Sequence, residues 1–305
     1  MSEPSHSAQP RQLDQTVEMP APQFFMRVGV QSAWYSWGKP AGIPVVLQHG
    51  FAADTRSNWV VPGLVGDLVD NGRWVVGIDA RGHGASEKVR DPRQVGHAHG
   101  ASDVCALIDL LEAQFAVTQV DFAGYSMGGH IGLHVLASEP RVRRAVIAGV
   151  GAAALGTLEG RGGRGGDGGR GGGGGRGGGG ADGTTNFSRE SIATAMERYL
   201  AEPGLDVKTQ IADTNARDFV RYARYTGADM SALVAHLRAN QTRPGPFEHL
   251  TADILVLAGE DDHLARDLDT LAAALPGSRI VRSPGTHLSA IVEPVFREAF
   301  SSFLS

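Results

Sequence analysis

The chain has 305 residues, 42% of them hydrophobic, a formal net charge of −5 at pH 7 and a single cysteine, Cys105. That length suits one large α/β domain or two smaller ones. The acidic balance excludes a general attraction to nucleic acid or anionic membranes, and one cysteine excludes an internal disulfide or a thiolate metal cluster.

Residues 1–22 are polar, carry four prolines and lack the basic start and apolar run of a signal peptide. They are expected to be a disordered tail on a cytoplasmic protein. No apolar run approaches the ~20 residues that span a bilayer, so no membrane association is expected. From residue 23 the pattern becomes sheet-like, with 24–30 and 33–37 reading as an antiparallel hairpin around Gly29. Strands then alternate with helices: a strand at 45–48, a helix at 64–69 and a strand at 74–78. A helix follows with Val104, Leu107, Ile108, Leu111 and Phe115 at helical spacing. Strand 119–123 leads to helix 130–137, and strands 145–148, 254–258 and 278–281 complete the set before a last helix carrying Val292, Val295, Phe296, Ala299, Phe300 and Phe303. Such alternation predicts a mostly parallel sheet with helices on both faces.

The rhythm breaks over 151–250. Within it, 159–183 is nearly all glycine with Arg-Gly-Gly repeats at Arg161, Arg164, Arg170 and Arg176. A tract with so little to bury and so much backbone entropy to lose is expected to stay disordered. Its composition resembles RNA-binding segments, but no phenylalanine or tyrosine is interleaved for base stacking, so a tether is expected rather than a nucleic-acid site. Three short helices are expected beyond it, at 191–200, 216–225 and 230–239. The organisation is therefore a tail (1–22), a core (23–150 and 251–305) and a helical cap (151–250) over whatever site the sheet presents. Tyr199, Phe219, Tyr222 and Tyr225 would line a cavity there or fill a helix interface.

The chemistry concentrates at Gly124-Tyr125-Ser126-Met127-Gly128, between an apolar strand and an apolar helix. Glycines two before and two after a serine fit a nucleophile elbow, a strained turn that leaves the hydroxyl standing above the sheet. A serine needs a general base, and the base needs an orienting group. Carboxylates follow the strand at 254–258 as Gly259-Glu260-Asp261-Asp262, and His287 follows the last strand, 25 residues past Asp262. The order Ser, Asp, His is that of this topology. Two backbone N–H groups would hold an oxyanion: Met127, next to the serine, and Phe51, in the loop after 45–48.

These pieces, with His49-Gly50-Phe51, Asp79-Ala80-Arg81-Gly82-His83-Gly84-Ala85-Ser86, the elbow, the Gly-x-x-Asp ending at Asp262 and the Gly-x-His at His287, resemble the α/β-hydrolase superfamily in its capped serine esterase and lipase-like branch. The resemblance covers the core and not the cap. It implies an eight-stranded α/β-hydrolase fold, Ser126 as nucleophile, His287 as base, Asp262 as acid (with Asp261 the rival) and Phe51 and Met127 as oxyanion donors. It implies no cofactor and no metal. The expected activity is hydrolysis of small-molecule carboxylic esters with small to medium acyl groups through an acyl-enzyme. A carbon–carbon bond hydrolase, which typically places tryptophan where this chain has Leu288, stays open, as do a lactonase or thioesterase, a perhydrolase and a slow-hydrolysing ligand sensor. Oligomeric state is not legible.

Other conspicuous residues have plainer readings. Asp79, Arg81 and His83 read as a hydrogen-bonded turn bracing the site. His130 and His134 sit four apart but lack the glutamate of the zinc-protease pattern, so they read as packed histidines. His97 and His99 read as part of a loop before the Val104 helix, without ligand partners. Trp59, following the oxyanion loop, is a candidate pocket wall, and Cys105 a small packed residue.

Overall fold

Eight short strands of β-branched and apolar residues assemble into one sheet, ordered β1-β2-β4-β3-β5-β6-β7-β8, in a computed structural model that describes residues 17–156, 188–202 and 204–305. The strands are β1 (Gln23–Arg27), β2 (Val30–Trp37), β3 (Val45–Gln48), β4 (Val75–Ile78), β5 (Val120–Tyr125), β6 (Val142–Ala148), β7 (Asp253–Gly259) and β8 (Arg279–Ser283). β2 alone runs against the rest, antiparallel to both its neighbours β1 and β4; β3 through β8 are parallel. Every residue of β3, β4 and β5 is buried, as parallel strands covered on both faces require. The mostly parallel, eight-stranded sheet expected from the alternation is the one observed.

The helices are α1 (Leu64–Asp70), α2 (His97–Phe115), α3 (Met127–Ser138), α4 (Arg189–Ala201), α5 (Val207–Gln210), α6 (Thr214–Thr226), α7 (Met230–Arg238), α8 (Leu268–Ala273) and α9 (Pro294–Leu304). On one face of the sheet, Val104, Leu107, Ile108 and Leu111 of α2 and Ile131 and Val135 of α3 pack with Val46, Val76 and Phe122. On the other, Leu64 and Leu68 of α1 and Phe296, Phe300 and Leu304 of α9 pack with Leu47, Val75 and Ala123. The helices α4 to α7 form a third apolar cluster of their own around Ile192, Met196, Val220 and Leu233, which also takes in Ala52 from the core. All four start on side-chain caps: Ser188 Oγ, Asp206 Oδ1, Asp213 Oδ1 and Asp229 Oδ1 accept from the N–H groups of Ser191, Lys208, Ala216 and Ala232.

Several boundaries differ from the sequence reading. The hairpin turns at Val28-Gly29, both with positive φ, so β2 begins at Val30 rather than 33. α2 starts at His97, which puts His97 and His99 in its first turn rather than in a loop; Ala98, Gly100 and Ala101 supply no apolar periodicity to signal that turn. Between 188 and 239 a fourth short helix, α5, joins the three expected. The last helix begins at Pro294, after a separate 3-10 turn at Ala290–Val292. The glycine-rich tract 159–183 and residues 1–16 lie outside the described residues. Within the expected tail, Trp37 Nε1 donates to the Glu18 carbonyl at 2.9 Å, and Val17 and Met19 pack against the α9 face. Among the described residues no helix is long and apolar enough to cross a membrane.

Candidate active site

At the carboxyl edge of the sheet, β5 runs through Tyr125 into Ser126, whose φ of 55° and ψ of −114° lie outside the regions open to most L-residues. This strained backbone persists because the surroundings leave no alternative. A side chain at Gly124 would run into the Gly128 carbonyl, and one at Gly128 into the carbonyls of Gln48 and His49. The two glycines thus let β5, α3 and the loop after β3 meet at one point. α3 begins immediately after Ser126, so its unpaired N–H groups face the hydroxyl.

The remaining strand ends bring the partners. β7 is followed by a turn in which Asp262 Oδ1 accepts from the N–H groups of Leu264 (2.9 Å) and Ala265 (3.2 Å). This fixes the carboxylate and leaves Oδ2 for His287 Nδ1, at 2.8 Å. His287 Nε2 lies 2.8 Å from Ser126 Oγ. Asp262 and His287 are buried, at 5% and 6% exposure, while Ser126 is half-buried. The two contacts also define the tautomer: a carboxylate can only accept, so Nδ1 carries the proton and Nε2 faces the hydroxyl as an acceptor. Asp261 is exposed, and its N–H donates to the Gly285 carbonyl. Ser126, His287 and Asp262 are therefore brought together in series, and Asp261 is not part of it.

The loop after β3 is held just as closely. His49 is fully buried; its Nε2 accepts from Ala80 N–H (2.9 Å), so its Nδ1 donates to the Gly50 carbonyl (2.8 Å). Asn58 Oδ1 accepts from Gly50 N–H, and a methyl on Gly50 would lie 3.4 Å from Ser126 Cβ. Phe51 follows directly. Among the described residues neither Phe51 N–H nor Met127 N–H donates to a protein acceptor, so both remain available beside the serine.

Residues the sequence did not single out complete the geometry. Tyr125, fully inside the protein, donates its hydroxyl to the His287 carbonyl at 2.5 Å and so ties the base to the nucleophile strand. Burial first and the Asp262 charge second hold its phenol well above the ordinary value of 10.0. Gly149, at φ 64°, ends β6 where a Cβ would press to 3.1 Å of Tyr125 Cζ and 3.3 Å of His287 Cε1. The only local signal for either was its place beside a motif or at a strand end.

The turn after β4 braces the site. Asp79 accepts from Thr55 N–H, Ala85 N–H and the Tyr35 hydroxyl. Arg81 makes a buried two-pronged pair with Asp103 at 2.7 and 2.5 Å. Trp59, read as a pocket wall, is instead fully buried and stacked on Phe300 at 5.6 Å. The one-turn π-helical stretch Arg56–Val60 rotates it away from the oxyanion loop into the α9 core.

Between α2, α3 and α7 lies a run of imidazoles. His97 stacks on His130 at 4.7 Å, His236 of α7 is 6.3 Å from His97, and His83 is 5.4 Å from His236 and 5.2 Å from His49. Burial lowers the basicity of each shifted member, to about 4 for His130 and about 3 for His236. No group of three or more His, Cys, Asp or Glu among the described residues is placed to hold a metal ion. Cys105 lies half-buried in α2, and burial pushes its thiol up rather than activating it.

The chain is 35% identical over 140 residues to the dihydrolipoyllysine-residue acetyltransferase component of the acetoin cleaving system of Pseudomonas putida, covering 45% of this chain and 34% of that protein. It is 34% identical over 125 residues to a non-heme chloroperoxidase of Streptomyces lividans, covering 39% of this chain and 41% of that one. The matches thus span less than half the length of either relative. Among solved structures, a hydrolase from Pseudomonas aeruginosa superposes with a TM-score of 0.63 at 22% identity, over 93% of this chain and 98% of that one. A sequence model of the alpha/beta hydrolase family matches residues 45–296. With the sheet order, the elbow and this match in hand, the chain belongs to the alpha/beta hydrolase family.

Proposed function

We propose that this protein is a serine hydrolase that cleaves carboxylic esters of small to medium acyl groups through an acyl-enzyme. One observation carries the reading: His287 lies 2.8 Å from Ser126 Oγ through one ring nitrogen and 2.8 Å from Asp262 through the other. In this mechanism Ser126 Oγ attacks the ester carbonyl carbon as His287 Nε2 takes its proton. The resulting imidazolium is balanced by Asp262, which stays ionised. The tetrahedral oxyanion is held by the N–H groups of Phe51 and Met127. As the C–O bond breaks, Nε2 returns the proton to the leaving alkoxide, releasing an alcohol. Water, deprotonated by the same nitrogen, attacks the acyl-enzyme; the carboxylic acid leaves and Ser126 regains its proton.

Labelling with a fluorophosphonate and mapping the modified peptide tests the assignment. The adduct is expected on Ser126 alone, and an adduct elsewhere, or none, refutes it. Multiple turnover of p-nitrophenyl butyrate is expected as well; a single stoichiometric burst would point to a slow-hydrolysing sensor.

A second reading draws support from the likeness to the non-heme chloroperoxidase. In it, hydrogen peroxide replaces water in attacking the acyl-enzyme, and a peracid leaves with Ser126 restored. Peracid formation from acetate or a short ester in the presence of peroxide, at a rate comparable with hydrolysis, would favour it.

A further inference from the structure

Three buried imidazole nitrogens beside the oxyanion loop take no part in the hydrogen-bond network. His236, on α7, is 4% exposed, and neither its Nδ1 nor its Nε2 has a hydrogen-bond partner among the described residues; His83 is fully buried and its Nε2 is equally unpartnered. Leaving a buried polar atom unsatisfied costs about 1–3 kcal/mol, so such groups in native proteins ordinarily answer to a ligand or an ordered water. The two rings face each other almost edge to face, at 5.4 Å and 87°.

Their position links them to the chemistry. Phe51 packs against both, at 5.9 Å from His83 and 6.2 Å from His236, with Phe219 of α6 closing a third side at 5.6 Å. Phe51 also follows Gly50, where an added Cβ would lie 3.4 Å from Ser126 Cβ. A substituent on a substrate held at Ser126 and reaching past the oxyanion loop would therefore meet two phenylalanines and two histidines. The apolar rings favour a carbon chain, while the nitrogens demand a polar atom on it.

The tautomers narrow the choice. His83 Nδ1 lies 3.2 Å from the Arg81 carbonyl, which can only accept. Nδ1 thus carries the proton and Nε2 is a bare acceptor. Burial keeps His236 neutral, pushed down to about 3, so it offers one donor and one acceptor. A hydroxyl can give its proton to His83 Nε2 and accept one from His236. A carboxylate cannot donate, so it would set an acceptor against the bare His83 Nε2; a methyl would satisfy nothing.

We propose that His236 and His83, with Phe51 and Phe219, form an acyl subsite that selects esters bearing an uncharged hydroxyl-type group on the acyl chain. This rests on the ester-hydrolase reading and adds the substrate class to it.

The test compares p-nitrophenyl 3-hydroxybutyrate with p-nitrophenyl 3-methylbutyrate, which differ by hydroxyl for methyl at nearly constant shape. One hydrogen-bonded hydroxyl corresponds to about a tenfold preference in kcat/KM for the hydroxy ester. In His236→Phe, which keeps an aromatic ring and loses both nitrogens, the ratio should fall toward one; His236→Asn, which retains a donor and an acceptor, should keep part of it. Because both esters are measured on one preparation, any loss of folded protein cancels in the ratio. Equal turnover of the two esters by the unmodified protein, or a preference surviving in His236→Phe, overturns the subsite and leaves the hydrolase reading standing. Absence of turnover with either ester overturns the hydrolase reading and the subsite together.

Discussion

Tyr125→Phe isolates the bond between the nucleophile strand and the base. The hydroxyl donates to the His287 carbonyl at 2.5 Å from a ring that is 5% exposed, and the two residues are 162 positions apart in sequence. Removing it creates almost no cavity but deprives a buried carbonyl of its donor, a loss of about 1–3 kcal/mol. For a domain of this size that lowers Tm by several degrees, about 2–4 °C per kcal/mol. The histidine loop then gains freedom relative to Ser126, and reacting groups a fraction of an ångström out of line lose rate rather than binding. With p-nitrophenyl butyrate, kcat should fall about tenfold while KM stays within about twofold.

The phenol also makes a pH-dependent contribution. Its native pKa lies above the unfolded value near 10, so above that pH the native state binds more protons than the unfolded one. The contribution is complete below about pH 10 and is lost as pH rises beyond it. Urea midpoints measured from pH 8 to 11 should therefore fall less steeply in Tyr125→Phe than in the parent. If stability drops and kcat does not, the bond is only structural and Tyr125 does not position the base.

Asp262→Asn should lower kcat by about two to four orders of magnitude. Its Oδ1 would keep the Leu264 and Ala265 N–H groups, so its amide N–H₂ would face His287 Nδ1, force the proton onto Nε2 and leave no acceptor for Ser126. A loss below tenfold would count against the series. Arg81→Ala strands the Asp103 carboxylate, 1% exposed, without its two-pronged partner; about 3–5 kcal/mol of stability should be lost in urea titrations, and an unchanged midpoint would refute the bracing role. Acid should destabilise the protein through the buried imidazoles. His236 titrates near 3 in the native state because burial opposes its charge, so stability present above the unfolded value of about 6.5 drains away as pH falls toward the native one. His236→Phe removes that drain and should recover up to about 2 kcal/mol of the loss between pH 6.5 and 5. A parallel fall in both proteins would argue that this ring is protonated in the native state.

What was legible in the sequence shares one property: it is imposed by local backbone demand. Gly124 and Gly128 flank Ser126 because carbonyls of adjacent elements leave no room for a Cβ, and that crowding is visible as spacing in five residues. The β3, β4 and β7 runs were legible because strands covered on both faces are almost continuously apolar. What the sequence did not show arises from pairs far apart in the chain. Trp59 follows the oxyanion loop in sequence yet stacks on Phe300, 241 positions later. The first turn of α2 carries His97, Ala98, His99 and Gly100, a pattern with no apolar face, because its neighbours there are other imidazoles and the cap rather than the sheet.

This division also separates two kinds of consequence. Among the contacts by which the cap meets the core, Thr226 Oγ1 donates to the Ala52 carbonyl at 2.7 Å, Arg90 pairs with Asp229, Asn215 Oδ1 meets His263 Nε2 at 3.0 Å, and His236 and Phe219 close on Phe51. None of these touches the bonds linking Ser126, His287 and Asp262. Changes at the sheet edge act on the proton path common to every substrate and should scale all rates together. Changes at His236, His83 or Phe219 alter only what surrounds the acyl chain and should move one substrate against another. A cap substitution that scaled the hydroxy and methyl esters equally would mean that α7 positions the oxyanion loop rather than reading the substrate, and selectivity would then rest on Phe51 alone.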